Sequence, residues 1–300
     1  MNIKYSRNHL IATVLGTLYL LLGTSCEKEI TVDLPQPKQK IVVEGHVEPG
    51  QKPYVILTDN QGYFDPVDSF TVYNSIIQTG FVTINDGFTT DTLTLTVDFN
   101  YLPPLVYKAR NMVGVVGRTY HLTVVAHNKT LTATTTIPQP VPLDSLWFKL
   151  YSTANDSLGF VWARMSEPAG LGNAYRWMAK RLHKDATFIP PFGSEFDDKF
   201  IDGQTFDFAF NRGEAPNSNA IDDQNEEAGF FKKGDTVAVK FSTIDHDAFL
   251  FYRSYDADHF STGNPFASPA SVISNIYPQE DALGIFCGYG VSIDTVVLVP

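Results

Sequence analysis

The chain has 300 residues, of which 43% are hydrophobic and 13% aromatic, enough to build a sizeable core in one or two domains. Its formal net charge is −11, from 22 basic and 33 acidic side chains. Because so acidic a chain is repelled by phosphate backbones, nucleic acid is excluded as a main partner.

The first 25 residues have the order of a secretory signal peptide. Lys4 and Arg7 supply a positive start, and residues 10–22 are mainly apolar but too short for the roughly 20 residues that span a bilayer. The small residues before Cys26 resemble a bacterial lipobox, although its large aliphatic residue, Leu22, lies one position further back than usual. We therefore predict cleavage before Cys26 and lipidation of this cysteine with acyl chains such as palmitate.

Several acyl chains on one cysteine would anchor the protein stably in a membrane. Two alternatives remain: an ordinary signal peptide in which Cys26 is incidental, and a transmembrane anchor, which the charged residues 27–29 disfavour. Cleavage removes Lys4 and Arg7 and leaves 20 basic against 33 acidic side chains, a net charge of −13. Cys287 then has no disulfide partner, and its apolar neighbours favour a buried, inert thiol over a nucleophile.

The first half of the mature chain has the pattern of an all-β domain. Residues 26–39, with Pro35 and Pro37, look like a lipidated tether. Short β-branched segments with frequent turn signals follow, and they predict an immunoglobulin-like sandwich over residues 40–137. The predicted strands lie at 40–47, 54–58, 70–75, 79–85, 91–98, 105–107, 119–127 and 130–137, the last two joined as a hairpin by the polar turn at 127–129.

Alternating prolines at 138, 140 and 142 cannot lie in a central strand, so they predict a domain boundary. Residues 143–300 predict a second, mostly-β domain with one short helix over 245–257, capped by Thr243 or Asp245. Its predicted strands lie at 144–151, 157–165, 173–183, 235–242, 283–289 and 291–299.

Residues 185–235 are unusual because they combine 12 acidic with four basic side chains and nine phenylalanines. A long loop with aromatic anchors is often functional, so we predict a weak partner-binding surface at Phe192, Phe196, Phe230 and Phe231. The alternative is a strand that carries Phe206, Phe208 and Phe210, with solvated loops inserted around it.

Signatures of catalysis and of metal binding are weak. The sequence contains no His-Glu-x-x-His, no Gly-x-Ser-x-Gly and no phosphate-binding glycine loop, so we expect no enzyme and no cofactor, with a hydrolase as the least favoured reading. Asp245-His246-Asp247 and the group Asp256, Asp258 and His259 are the nearest approach to a metal site, but helix capping explains the acidic residues better. Residues 59–65 resemble a calcium loop only in composition.

Two further features bear on surface chemistry. Asp-Ser/Thr-aliphatic triplets resemble an O-glycosylation acceptor motif of Bacteroidota, and they begin at residues 91, 144, 156, 235 and 294. Trp147, Trp162 and Trp177 could stack on sugar, but at strand positions tryptophan is more often part of the core.

Ordered motifs along the chain resemble the domain-of-unknown-function family numbered 4249, lipoproteins of Bacteroidota. They lie at 26–30, 34–35, 41–45, 55–58, 63–66, 117–120, 134–138, 142–146, 263–266, 275–276 and 282–286. The resemblance implies genes encoded beside TonB-dependent outer-membrane transporters, and it implies no catalytic residue. We therefore expect a non-enzymatic outer-membrane lipoprotein that assists such a transporter or captures its ligand, on either the periplasmic or the cell-surface face. The alternative is a stand-alone surface module that binds glycans or peptides.

Overall fold

The computed structural model describes residues 38–62, 68–152, 155–214, 227–261 and 271–299. It is mostly β, with 48% strand and 10% helix, so the predicted fold class is confirmed. The elements of the first half are β1 (Ile41–Val47), β2 (Tyr54–Asp59), α1 (Ser69–Ser75), β3 (Phe81–Asn85), β4 (Thr90–Thr92), β5 (Thr94–Val97), β6 (Leu105–Lys108), β7 (Thr119–Ala126) and β8 (Lys129–Thr136).

In the described part of the second half there are nine strands and one helix. They are β9 (Ser145–Ser152), β10 (Asn155–Ser166), β11 (Ala174–Arg181), β12 (Glu195–Asp197), β13 (Thr205–Ala209), β14 (Phe231–Lys232), β15 (Thr236–Ile244), α2 (His246–Ser261), β16 (Ala282–Gly288) and β17 (Gly290–Val297).

Two packed sheets form the first sandwich, as predicted. One has the strand order β16-β1-β2-β6-β5 and the other β4-β3-β7-β8. Alternate residues of β1, such as Ile41, Val43 and Val47, are buried in the core between the sheets, because successive side chains of a strand point to opposite faces. The other face of β1 is left to line a cavity.

The predicted hairpin joins β7 to β8, and its two-residue turn is His127-Asn128. Both residues have positive φ, 49° and 58°. This backbone geometry matches the right-handed twist of paired strands, which is why such turns are common in hairpins.

Residues 70–75, predicted as a strand, form helix α1 instead. Asp68 accepts hydrogen bonds from the backbone N–H groups of Phe70 and Thr71, and the Thr71 hydroxyl accepts one from the Asp68 backbone N–H. This reciprocal capping satisfies orphan donors of the first turn, and it overrides the β preference of Thr71 and Val72.

The end of the chain returns to the first sandwich. β16 pairs in parallel with β1, from Ile41 opposite Ala282 to Val47 opposite Gly288. The pairing brings the backbones so close that a Cβ at Gly284 would lie 1.9 Å from the Val43 carbonyl oxygen, and Gly284 has φ +113°, so only glycine fits there. The division at residues 138–142 stays a prediction, although residues from both sides of it share this sheet.

A second pair of sheets encloses another core. β10 joins β9, β13 and β14, and the other sheet has the order β12-β11-β15-β17. The outer face of the latter sheet packs on α2 and β16 in a third cluster that includes Met178, Phe249, Ile285 and Tyr289. This third cluster positions β11, α2, β1 and β16 around a cavity.

A candidate ligand-binding cavity

A cavity of about 520 Å³ lies where β1 and β16 face β11, β15 and α2; we call it the main cavity. The outward residues of β1 line one side, since they alternate with the buried ones. Principal lining residues are Val42, Glu44, His46, Tyr54, Tyr101, Arg176, Met178, Phe188, Lys240, Phe251, Tyr252, Ile285 and Tyr289. Mostly apolar walls with few polar groups are typical of small-molecule sites.

A stack of three rings forms an aromatic wall of the main cavity. The His46 ring lies between Tyr54 and Tyr289, with centroid distances of 4.8 and 5.1 Å and interplanar angles of 7° and 10°. The Tyr289 hydroxyl is hydrogen-bonded to the Tyr252 hydroxyl. Burial raises the pKa of both tyrosines, so the two hydroxyls stay neutral.

Arg176 places a cation beside Tyr252, at the end of this series of aromatic side chains. Its guanidinium carbon lies 3.3 Å from the centroid of the Tyr252 ring. Nε is buried and has no hydrogen-bond partner, and no described residue forms a side-chain hydrogen bond or ion pair with Arg176. Burial lowers the pKa of Arg176, but electrostatic interactions with neighbouring side chains, Tyr252 first and Glu195 among them, raise it above its ordinary value. The main cavity therefore contains a charged, unpaired guanidinium.

The other charged groups of the main cavity have partners. Lys240 forms an ion pair with Glu48, and His46 Nε2 lies 3.0 Å from Glu44 Oε1. Burial opposes ionisation of Glu44, but the hydrogen bond and charge of His46, together with the charge of Arg176, lower its pKa. Glu44 is therefore stabilised as a carboxylate, with His46 as its direct partner and Arg176 acting on it through its charge.

A side cavity of about 410 Å³ adjoins the main cavity and shares His46, Glu48, Tyr54, Tyr101 and Lys240 with it. Its lining also includes Lys52 and Lys108, so three lysines face one glutamate there. Lys108 is paired with Asp98 and Lys240 with Glu48, while Lys52 donates to the Arg110 carbonyl oxygen and forms no ion pair with a described residue.

A pair of carboxyl groups lies next to Arg176, outside the lining of the main cavity. Glu195 is opposite Arg176 in the β11–β12 register. Burial, and then the charge of Asp256 on α2, raises the pKa of Glu195 to about 7. Asp256 also accepts a hydrogen bond from the Gly193 backbone N–H at 2.5 Å, so this carboxyl pair connects α2 to the β12 loop.

The four predicted partner-binding phenylalanines do not form one surface. Phe231 is fully buried, so its ring cannot contact a partner while the protein is folded. Phe196 is partly buried and packs against the core of the second sandwich. Phe192 is 47% exposed and stacks on His259 at 4.2 Å. Phe230 is half-buried beside Tyr151 and Phe160.

The structure agrees better with the alternative prediction for residues 185–235, a strand that carries core phenylalanines. β13 carries Phe206 and Phe208, and Phe210 follows it; all three rings pack against the second core. Trp177 is likewise fully buried there. Trp147 and Trp162 are half-buried, lie opposite each other on β9 and β10, and stack at 6.3 Å.

The remaining predicted positions are placed as follows. Cys287 is fully buried, and burial raises its pKa, as expected of an inert thiol. Asp245 caps α2 through the Ala248 backbone N–H at 2.8 Å. Within the described ranges, no three His, Cys, Asp or Glu side chains form a group that would hold a metal ion. Cys26, and residues 63–65 of the calcium-like loop, lie outside these ranges.

Sequence patterns did not identify Arg176, Tyr252 or Tyr289 as site residues. They lie far apart in the chain and meet only through the third cluster. A signal was nevertheless present in β1, where polar Glu44 and His46 alternate with buried Val43, Gly45 and Val47.

Neither helix in the described ranges has the length and apolar composition that crossing a membrane requires.

No curated protein matches the chain significantly. Among solved structures, the FN1–FN3 domains of chicken CNTN1 align at 10% identity and a TM-score of 0.17, covering 66% of this chain and 60% of that one; the chain thus spans less than two thirds of that structure. The model of the family described as "Domain of unknown function (DUF4249)" matches residues 27–294, and the chain belongs to this family.

Proposed function

We propose that this protein is a non-enzymatic, lipid-anchored outer-membrane protein that captures a small ligand for a TonB-dependent transporter. The main cavity carries the ligand-capture part of this proposal. It combines about 520 Å³ of space with an aromatic wall and an unpaired guanidinium. A polar group that has no protein partner inside an apolar pocket is a typical determinant of ligand orientation.

Membrane anchoring and the transporter partner are supported by sequence alone. The apolar start, the small residues before Cys26 and the tether up to residue 39 support lipidation. The resemblance to lipoproteins encoded beside TonB-dependent transporters supports the partner. Replacement Cys26→Ser should release the protein from membranes, and the unaltered protein should co-purify with a stoichiometric barrel protein in mild detergent.

Native mass spectrometry of the protein purified from its own membranes tests ligand capture. Val42 lines the main cavity, so Val42→Trp should fill part of the space and abolish a bound small-molecule mass. Val125→Trp is the matched control, because Val125 is a strand valine that is 40% exposed elsewhere on the first sandwich. A bound mass that survives in Val42→Trp, or none in the unaltered protein, would contradict capture in the main cavity.

The second candidate is a stand-alone module that binds glycans or peptides. The stacked pair Trp147 and Trp162, with Lys149 5.2 Å from the Trp162 ring centroid, is the observation that favours it. Glycan-array binding that is lost in Trp162→Ala and unaffected by Val42→Trp would support this candidate over capture in the cavity.

A further inference from the structure

We infer that the main cavity binds a small organic carboxylate with an apolar or aromatic body, whose carboxylate is held by the guanidinium edge of Arg176. This inference rests on the proposed ligand capture and names its ligand class. It depends on how Arg176 is oriented, on the charges around it and on the walls of the main cavity.

The stacking of Arg176 on Tyr252 orients its hydrogen-bond donors. A guanidinium is planar, and its N–H groups point outward in that plane. With one face 3.3 Å from the Tyr252 ring centroid, the tyrosine covers the face and leaves the edge free. A carboxylate matches such an edge with two parallel hydrogen bonds.

The charge around Arg176 favours an anion. Lys240 is neutralised by Glu48, and Glu44 is partnered by His46. Glu44 and Glu195 interact with Arg176 only through their charges, and no described side chain forms a hydrogen bond or an ion pair with its guanidinium. An unpaired charge shielded from water is costly, and a bound carboxylate would remove this cost.

The walls select the rest of the ligand. Tyr54, His46 and Tyr289 offer a near-parallel ring stack, and Val42, Met178 and Ile285 add aliphatic surface. A flat or apolar body gains from contact with these side chains. Lys52, which lines the side cavity and forms no ion pair with a described residue, would raise the local concentration of anions.

Isothermal titration calorimetry with matched acids and amides tests the inference. The probes are 3-phenylpropionate, indole-3-propionate and 1-naphthylacetate, each beside its carboxamide, which has a similar shape without the charge. We expect at least one acid to bind the unaltered full chain about tenfold or more tightly than its amide, because a charge-assisted hydrogen bond contributes at least this much.

Substitution of Arg176 provides the second arm. Arg176→Gln should weaken acid binding about tenfold or more and leave amide binding within about twofold, and Arg176→Lys should fall between. Arg164→Gln is the matched control, since Arg164 is exposed and paired with Asp207 on β13. Circular dichroism and the melting temperature establish that each variant is folded.

The outcomes separate the two proposals. If an acid and its amide bind equally and Val42→Trp blocks both, the carboxylate inference is overturned and ligand capture stands. If none of the six probes binds, the carboxylate inference is also overturned, and native mass spectrometry of the membrane-derived protein decides ligand capture independently. Equal loss of acid binding in Arg164→Gln and Arg176→Gln would likewise overturn the role of Arg176.

Discussion

Arg176 has an environment that is unfavourable for the stability of the ligand-free protein. A charged group shielded from water without a hydrogen-bond partner destabilises a fold, yet the Nε atom of Arg176 is in that position. The stacked Tyr252 ring compensates only in part, because a cation–π contact contributes about 0.5 to 2 kcal/mol.

Replacement Arg176→Met should therefore raise the free energy of unfolding by about 1 kcal/mol, because it removes the unsatisfied donors and keeps most of the side-chain volume. Urea unfolding of the ligand-free protein measures this change. A loss of stability comparable to that of a core truncation would show that Arg176 is a structural residue and not one reserved for a ligand.

Glu195 makes stability depend on pH. Its pKa is about 7 in the fold, above the ordinary 4.5, because of burial and then Asp256. The folded state thus binds more protons than the unfolded state between these values, so the contribution of Glu195 to stability falls as pH rises from about 4.5 to about 7. Above that window the loss is complete.

Glu195→Gln should remove this dependence, because the amide stays neutral. At pH 8 the variant should be more stable than the unaltered protein by about 2 kcal/mol, and at pH 4 the two should be similar. Chemical denaturation across this pH range is the measurement. Glu280→Gln, at an exposed glutamate, is the control and should show the same pH dependence of stability as the unaltered protein. If Glu195→Gln also shows that same pH dependence, its assignment to Glu195 is refuted.

At the scale of elements, helix α2 matters because it closes the main cavity. Asp245 accepts a hydrogen bond from the Ala248 backbone N–H at one carboxylate oxygen, and the Thr135 hydroxyl donates to the other at 2.6 Å. The Thr135 hydroxyl in turn accepts from the Gly288 backbone N–H. One carboxylate thus joins the start of α2 to β8 and, through Thr135, to the end of β16.

Asp245→Ala should lower the free energy of unfolding by about 2 kcal/mol, at the upper end for an N-cap, because it also leaves Thr135 without its acceptor. Asp247→Ala should cost less than about 1 kcal/mol, since Asp247 in the first turn interacts mainly with the helix dipole. Thermal and urea unfolding compare the pair. Equal losses of stability in the two variants would mean that the hydrogen bonds of Asp245 contribute no stability beyond that of a negative charge at the start of the helix.

At the scale of the whole molecule, the segment from Lys38 to Pro300 groups as one compact unit. β16 completes the first sandwich, and the third cluster joins α2 and β16 to the second sandwich. Phe286 of β16 is fully buried in the first core. Because β16, which follows the second sandwich in the sequence, stabilises strands of the first sandwich, we expect the two sandwiches to unfold together.

Phe286→Ala should lower the stability of this joint transition by about 3 to 5 kcal/mol, the usual cost of truncating a buried aromatic ring. Calorimetry should show one transition in the unaltered protein and one, at lower temperature, in the variant. Phe260→Ala, at a ring that is 66% exposed, is the control. Two transitions, of which only one shifts in Phe286→Ala, would instead support the domain division predicted at residues 138–142.

Local patterns in the sequence determined the fold class, most strand positions, the hairpin at 127–129 and the capped helix. These features depend on alternation, turn residues and caps that act within a few positions. They also determined the family, through ordered motifs that the family match confirms. The helix at Ser69–Ser75 was missed because the prediction used the strand propensity of its β-branched residues. It did not consider the capping box at Asp68 and Thr71, which favours a helix.

Only the tertiary structure decided which residues share the main cavity. His46, Arg176, Tyr252 and Tyr289 come from β1, β11, α2 and the residue after β16, and no local pattern relates their side chains. The parallel return of β16 to β1 brings them together, because it joins the two sandwiches across the third cluster. The sequence contains Arg176, but only long-range packing shows that no side chain in the described part of the protein pairs with it.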